Sequence, residues 1–314
     1  MGSLHSTAEL PPHFCTSDFR ILQNNKQKIN FEIPFIFRYN KTMSILKFLN
    51  IETIDFRHKV NKRELRAQIW KPFNIKNKKI PLIAFDVGLQ YRIWDIPLFA
   101  CVMAKLGFAV VGTEYSRIEI ARGEIKDIVN VIKFSQQNFN FLDGSTILVG
   151  VSMGGATMLN IASKYENELN IKAVVALAPF ADLARAYYYA IAFVKTTPKK
   201  DPRVSLLKLY LKHTYVVPHI NPEEYKLRSP SNFVPFINCP VLLIHGKNDK
   251  IVPVDHSLEL YYKMLYLGKN VELRLVPGEG IHTPLLLKEH IKRFNFIGFL
   301  QSLFYTVCFL KKFR

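Results

Sequence analysis

What this 314-residue chain is short of narrows its class before any motif is read. It has four cysteines, Cys15, Cys101, Cys239 and Cys308, far apart in sequence and with no C-x-x-C pair. That spacing supports neither a disulfide framework nor a zinc site, and it fits a reducing compartment. The opening MGSLHSTAELPPHFC has neither a basic n-region nor an apolar h-region, so no secretory signal and a cytoplasmic product are expected. Acidic residues are few, 25 against 43 lysines and arginines, and the formal charge of +18 draws the protein toward anionic surfaces. The excess is spread along a chain also rich in Asn, Ile and Phe, which marks a bias of the whole composition. No base-reading motif accompanies the charge, so no specific nucleic-acid partner is expected. Internal repeats and low-complexity tracts are absent as well.

Also missing is a clean apolar run long enough to cross a bilayer. The candidate, Phe294 to Leu310, is seventeen residues long, contains Asn295, Gln301 and Ser302, and sits at the lower length limit for spanning. It reads as a last amphipathic helix packed on the core, with an apolar and basic tail, 305–314, suited to peripheral contact with an anionic membrane. MGSLHS at the other end matches the N-myristoylation pattern, which is short enough to arise often by chance.

What is present is an alternation of strands and helices. IETIDFRHKV (51–60) and RELRAQIWKP (63–72) read as two strands joined at a tight turn, and IPLIAFDVG (80–88) as a short apolar strand ending in glycine. A helix over 95–107, a strand over 108–115 and a helix from about Glu119 to Gln137 follow. TILVGVS (146–152), IKAVVALAP (171–179), PVLLIHG (240–246) and VELRLVP (271–277) read as further strands, with helices over 153–166 and 255–268. Near-continuous apolar strands separated by helices of ten or more residues imply a mostly parallel sheet covered on both faces, an α/β fold. Between Phe180 and Phe236 the alternation breaks into two helical segments and a proline-rich connection, expected to form a cap over the C-terminal strand ends where ligands bind in such sheets.

One joint in this pattern carries chemistry. In ILVGVSMGGATML, Ile147 to Leu159, a strand gives way to a helix through Gly150-x-Ser152-x-Gly154, with Gly155 next. A serine at such a joint is lifted out of the sheet edge by a sharp turn, and the flanking glycines are needed where strand and helix backbones come too close for a Cβ. The helix N-terminus and the Met153 N–H then face any oxyanion formed by attack on a carbonyl. A nucleophilic serine needs an acid and a base later in the chain, in that order. Asp249, in KNDKIVP after PVLLIHG, and His282, in PGEGIHTP after VELRLVP, stand at the ends of the two following core strands. Asp255 is a nearby helix N-cap candidate. His245 at a strand end reads as a support for the acid loop, while His256 and His290 sit in helix-like segments.

The chain here resembles the α/β-hydrolase superfamily, in particular the branch of dienelactone hydrolases, prolyl-oligopeptidase-like catalytic domains and related esterases. The resemblance runs from about Ile51 to Leu303 and is carried by GVSMGG, SPSNFVPFINCPVLLIHGKNDKIVP and LRLVPGEGIHTP. It implies an N-terminal extension over 1–50, a hydrolase domain over 51–304 with the cap at about 180–236, and the tail at 305–314. It further implies Ser152 as nucleophile, Asp249 as acid, His282 as general base, and oxyanion donors from the Met153 N–H and the loop after IPLIAFDVG. That loop departs from the family's usual His-Gly and reads Asp86, Val87, Gly88, Leu89, Gln90. Gly88 keeps the turn, which makes the Leu89 N–H the second donor, with Gln90 or Tyr91 as side-chain helpers. Asp86 would oppose a developing negative charge unless strand alternation turns it away or Arg92 pairs with it.

The expected reaction is acyl transfer from a hydrophobic ester to water, with no metal or organic cofactor. Some fifty residues before the core are too few for the propeller of prolyl oligopeptidases, which favours an esterase over an oligopeptidase. A thioesterase, a small peptidase, or a weakly catalytic relative that binds a lipid or a protein are the alternatives. The small-molecule partner is thus an ester or thioester.

Overall fold

The computed structural model describes residues 50–75, 78–88, 97–115, 123–214, 217–279, 282 and 296–314. The 1–50 extension with its MGSLHS pattern lies outside them, apart from Asn50. So do Leu89 to Arg92 and His290.

Two ten-residue strands open the fold, β1 (Ile51–Val60) and β2 (Arg63–Pro72), paired antiparallel with Ile51 opposite Pro72 and Val60 opposite Arg63. After them come β3 (Ile80–Asp86), α1 (Pro97–Lys105), β4 (Ala109–Thr113), α2 (Gly123–Asn138), β5 (Leu142–Val151), α3 (Met153–Tyr165) and β6 (Ile171–Leu177). The strands join in one eight-stranded sheet, completed by β7 (Val241–Gly246) and β8 (Val271–Val276), in the order β1-β2-β4-β3-β5-β6-β7-β8. β2 pairs antiparallel with β4, and all pairings from β4 through β8 are parallel. This is the α/β-hydrolase architecture that the sequence leads one to expect.

The central strands are β-branched and buried on both faces, as crossover helices require. One face carries a continuous apolar cluster in which Ile128 and Ile132 of α2, Met158 and Leu159 of α3, and Leu260 and Met264 of α7 (Asp255–Tyr266) pack on Leu82, Leu148, Val174 and Leu243 of the strands. α3 is buried through its first ten residues, Met153 to Ala162, and so holds the end of β5 rigidly.

β5 starts earlier than TILVGVS suggests. Asp143-Gly144-Ser145, a turn signal by composition, is taken into the strand as an irregularity: Gly144 has φ +87° and the Ser145 N–H donates to Asp143 Oδ1 at 2.7 Å. The pairing with β3 shifts register across this point.

The inserted segment contains three helices where the sequence suggests two: α4 (Leu183–Thr196), α5 (Pro202–His213) and α6 (Pro222–Arg228), followed by 3-10 turns at Pro230–Asn232 and Val234–Phe236. Each helix is capped by a side chain. Asp182 accepts from the Arg185 N–H, Asp201 from the Arg203 N–H, and Asn221 from the Glu224 N–H. Proline at N1 of α5 and α6 adds the preset φ that a first turn favours. The last helix, α8 (Phe296–Leu310), packs on β7 and β8. It continues through the 304/305 boundary suggested for a separate tail, and Phe309 and Leu310 are buried. No helix among the described residues is long and apolar enough to cross a membrane.

Candidate active site

Ser152 sits between β5 and α3 with φ 58° and ψ −122°, a backbone conformation that side-chain-bearing residues rarely adopt. Its side chain makes no capping bond to α3, so the hydroxyl is not spent on the helix it precedes. The backbone holds the turn: the Ser152 N–H donates to Leu177 O at 2.7 Å, and Ser152 O accepts from the Ala156 N–H at 3.2 Å. Packing accounts for the glycines. A Cβ on Gly150 would stand 2.3 Å from Gly154 O, and one on Gly154 would stand 2.5 Å from Asp86 O. The Met153 N–H belongs to the first, uncapped turn of α3.

Asp249 lies in the loop after β7 with its side chain fully buried. Its Oδ1 accepts the backbone N–H groups of Ile251 (2.8 Å) and Val252 (3.0 Å), and its Oδ2 accepts from His282 Nδ1. Burial pushes this carboxyl upward. The His282 charge and hydrogen bonds from His245 and His282 overcome that and hold it well below the usual carboxylate range. His245, the penultimate residue of β7, braces the same loop. Its Nε2 lies 2.8 Å from Val252 O and 3.5 Å from Asp249 Oδ2, and its Nδ1 lies 2.7 Å from Ser257 Oγ. With a carbonyl facing Nε2, that nitrogen carries the proton and Nδ1 accepts from the serine hydroxyl.

Geometry thus brings Asp249 and His282 together, past the ends of β7 and β8. His282 is buried and its Nε2 has no hydrogen-bond partner. It makes no bond to Ser152, which stands past the end of β5 on the same C-terminal side of the parallel sheet. Leu89, the second suggested oxyanion donor, falls outside the described residues, as do Gln90, Tyr91 and Arg92.

Asp86, at the end of β3, is a feature whose placement the strand pattern left open. It is buried against the start of α3, its Oδ1 accepts the Gly88 N–H at 3.1 Å, and its Oδ2 is buried without a partner. Gly88 has φ +78°, and its carbonyl accepts from the Tyr115 hydroxyl, so Asp86 and Tyr115 both fix the turn leading toward Leu89. Burial pushes the Asp86 carboxyl up to about 6 against the opposing hydrogen bonds of Gly88 and Tyr115. A folded-state value above the unfolded one means that the native state holds its proton longer. Stability attributable to this group is therefore highest below pH 4 and falls as pH rises toward 6. The Tm of Asp86→Asn relative to wild type is expected to rise from pH 4 to pH 7.5, by the equivalent of about 3 kcal/mol at most. Thermal melts across that range measure it, and a constant difference would mean that the carboxyl does not titrate there.

Asp255, suggested as an N-cap, is instead the first residue of α7, where its carboxylate lies 3.5 Å from Arg185. His256 is fully buried. Its Nδ1 accepts from the Ala181 N–H at 3.2 Å and lies 2.9 Å from Arg185 Nη2. Burial first, then the Arg185 charge, lowers it to about 3, so it stays neutral and structural.

Two ties between cap and site were not legible in the sequence. Arg203 of α5 donates to Glu279 at 2.8 Å, three residues before His282, and the Tyr189 hydroxyl of α4 donates to Lys250 O at 2.8 Å, next to Asp249. The cap's core is apolar and continuous with the nucleophile turn. Met153 and Ala156 pack with Phe180, Leu183, Tyr187 and Leu207, and Tyr115 lies against the same cluster.

Comparison with known proteins bears on the family and the fold. The family model described as "Prolyl oligopeptidase family" matches residues 116–290, more than half of the chain. The palmitoyl-protein thioesterase ABHD10, mitochondrial, of Mus musculus is 28% identical over 214 residues, covering 62% of this chain and 68% of that protein. The acylamino-acid-releasing enzyme of Mus musculus is 23% identical over 230 residues, and the chain spans only 30% of it. Among solved structures, the Pyrococcus furiosus esterase Pf2001 superposes with a TM-score of 0.60 at 18% identity, covering 85% of this chain and 93% of that one. At that identity it speaks for the fold alone.

Proposed function

The chain belongs to the prolyl oligopeptidase family and is a serine hydrolase of the α/β-hydrolase fold, and from that premise we propose that it hydrolyses an ester of a hydrophobic acyl group. The observation that carries the reading is the Asp249–His282 pair with its outer imidazole nitrogen unpartnered, on the sheet edge where a strained turn presents Ser152. Asp249 orients His282 through Nδ1, which leaves Nε2 to take the Ser152 proton as the hydroxyl attacks the carbonyl. The Met153 N–H stabilises the oxyanion, and the same imidazole returns the proton to the leaving alcohol. Water then enters, loses a proton to His282, and releases the acid. In the free enzyme the serine–histidine bond is commonly long and tightens with substrate, which is consistent with the unpartnered Nε2.

The apolar cap cluster around Met153 supports a hydrophobic acyl chain. A thioester is the second reading, favoured by the likeness to a protein thioesterase over 68% of that relative's length. The test is labelling with a fluorescent fluorophosphonate, comparing wild type with Ser152→Ala and His282→Ala, beside turnover of p-nitrophenyl esters and acyl-coenzyme A of increasing length. Labelling that disappears in both variants is expected, with ester turnover above thioester turnover. A folded wild type that neither labels nor turns over any of them would sink the hydrolase assignment of these residues.

A further inference from the structure

The last helix faces the wrong way for a helix that serves only the core. In α8 the residues turned inward include Gly298, Ser302 and Thr306, while Ile297, Leu300, Phe304 and Cys308 are turned outward. The spacing of that second set, i, i+3, i+7 and i+11, is one face of a helix. The exposures are large for such side chains: 62% for Ile297, 44% for Leu300 and 61% for Phe304. Inside, the hydroxyls are satisfied by their own helix, Ser302 Oγ donating to Gly298 O at 2.7 Å and Thr306 Oγ1 to Ser302 O at 2.8 Å. Small residues thus let α8 lie close on β7 and β8, and its bulky apolar stripe is left in water.

The end of the stripe is basic. Lys311, Lys312 and Arg314 are exposed, no acidic residue occurs from Phe296 to Arg314, and Arg274 of β8 lies over the Tyr305 ring. Glu272 is the acid that answers this group, bonding Lys312 and Arg274 at 2.8 and 2.9 Å. Positive charge therefore remains in excess beside the apolar face. An apolar stripe ending in exposed cations is what anionic bilayers take up, with the helix lying in the headgroup plane. Fifteen residues are too few to span, which leaves the in-plane orientation.

We propose that the outward face of α8, Ile297, Leu300, Phe304 and Cys308 with Lys311, Lys312 and Arg314, docks the protein reversibly on an anionic phospholipid surface. A second copy of the chain would also cover apolar side chains, but it would bring its own like-charged cations to the same seam. A lipid headgroup layer neutralises them.

Co-sedimentation of the full chain with vesicles of phosphatidylcholine containing 30 mol% phosphatidylserine, against phosphatidylcholine alone, tests this. Binding is expected to the first and to weaken steeply with added salt. Leu300→Gln with Phe304→Gln should cut it at least about tenfold, and each of Lys311→Gln and Lys312→Gln about fivefold. Turnover of a soluble short-chain ester and the Tm should stay unchanged in the glutamine variants. No binding to the anionic vesicles, or equal binding by the Leu300/Phe304 variant, overturns the proposal. So does a wild-type dimer in solution that this variant dissociates, which would make a second copy the occupant. A Tm lowered by several degrees in it would mean that the chain's own residues cover the face.

Discussion

Asparagine in place of Asp249 is expected to lower kcat about 10⁴-fold while leaving the fold standing. The direction of the substituted side chain is set by the backbone. Two N–H groups, from Ile251 and Val252, converge on Oδ1 at 2.8 and 3.0 Å, so the amide oxygen must stay there and the NH₂ must take the place of Oδ2. That puts a donor against His282 Nδ1, where a carboxylate oxygen now accepts. To avoid two facing donors the ring moves its proton to Nε2, the nitrogen that must be bare to accept from Ser152. His245 cannot rescue it, because its Nε2–H also points into this corner and is held by Val252 O. Steady-state turnover of a p-nitrophenyl ester measures the loss, and a residual rate within tenfold of wild type would remove Asp249 from the proposed mechanism. The same substitution alters acid stability. A carboxyl held below its usual range contributes stability that is full above its unfolded value near pH 4 and is lost as pH falls through its native value. The variant lacks that contribution, so its melting curves should depend less on pH between 5 and 2 than those of wild type.

The two acidic residues near the site behave oppositely for a reason the sequence only half displays. Both end up buried at strand ends, but Asp249 finds two backbone donors and an imidazole, whereas Asp86 has one N–H and an oxygen without a partner. Strand order and the Gly-x-Ser-x-Gly joint made the strand-end placement of Ser152, Asp249 and His282 readable, and with it the Asp249–His282 pair, because each depends on local composition at the end of an apolar strand. The hairpin of β1 and β2 was readable to the residue for the same reason: alternation and a two-residue turn are local signals. What depends on distant pairing was not. Asp143-Gly144-Ser145 looks like a turn and is carried within β5 as an irregularity between the Leu142 and Thr146 pairings to β3. Arg203 and Glu279 are 76 residues apart, and nothing in either neighbourhood announces the bond. α6 had a usable signal in Asn221-Pro222-Glu223-Glu224, an N-cap followed by proline and an acidic first turn, but its seven residues are short enough to vanish in a proline-rich stretch. The inverted face of α8 was hidden by composition, since an apolar helix gives no hint of which side meets the core.

Alanine at Gly150 is expected to be the most damaging glycine substitution of the nucleophile turn, with Gly154 next and Gly155 tolerated. The reasoning is steric, since none of the three has a positive φ. A Cβ on Gly150 meets three backbone atoms of α3, Gly154 O at 2.3 Å, Gly154 C at 2.4 Å and Gly155 N at 2.7 Å, and a backbone wall cannot swing aside as a side chain can. α3 is buried through ten residues, so it cannot back away without opening the apolar cluster beneath it. Overpacking of this kind costs roughly 3 kcal/mol or more, a large share of the 5–15 kcal/mol typical of a domain. For a chain of this size that is a fall in Tm of about 5 °C. At Gly154 the obstacle is Asp86, with O at 2.5 Å and Cγ at 2.8 Å, and part of it is a side chain that can yield. At Gly155 the nearest atoms, Gly150 O and Pro179 Cβ, stand at 3.2 Å, within a few tenths of an ångström of ordinary contact. Gly268→Ala separates crowding from backbone strain: its φ is +65° with nothing within 4 Å, so it should lose only about 1 kcal/mol. Thermal melts of the four alanine variants give the order, and fluorophosphonate labelling of the folded fraction says whether the turn survives. If Gly150→Ala melts no lower than Gly268→Ala, strand and helix do not approach as closely as this geometry requires, and Ser152 is then not held in the strained turn that presents its hydroxyl.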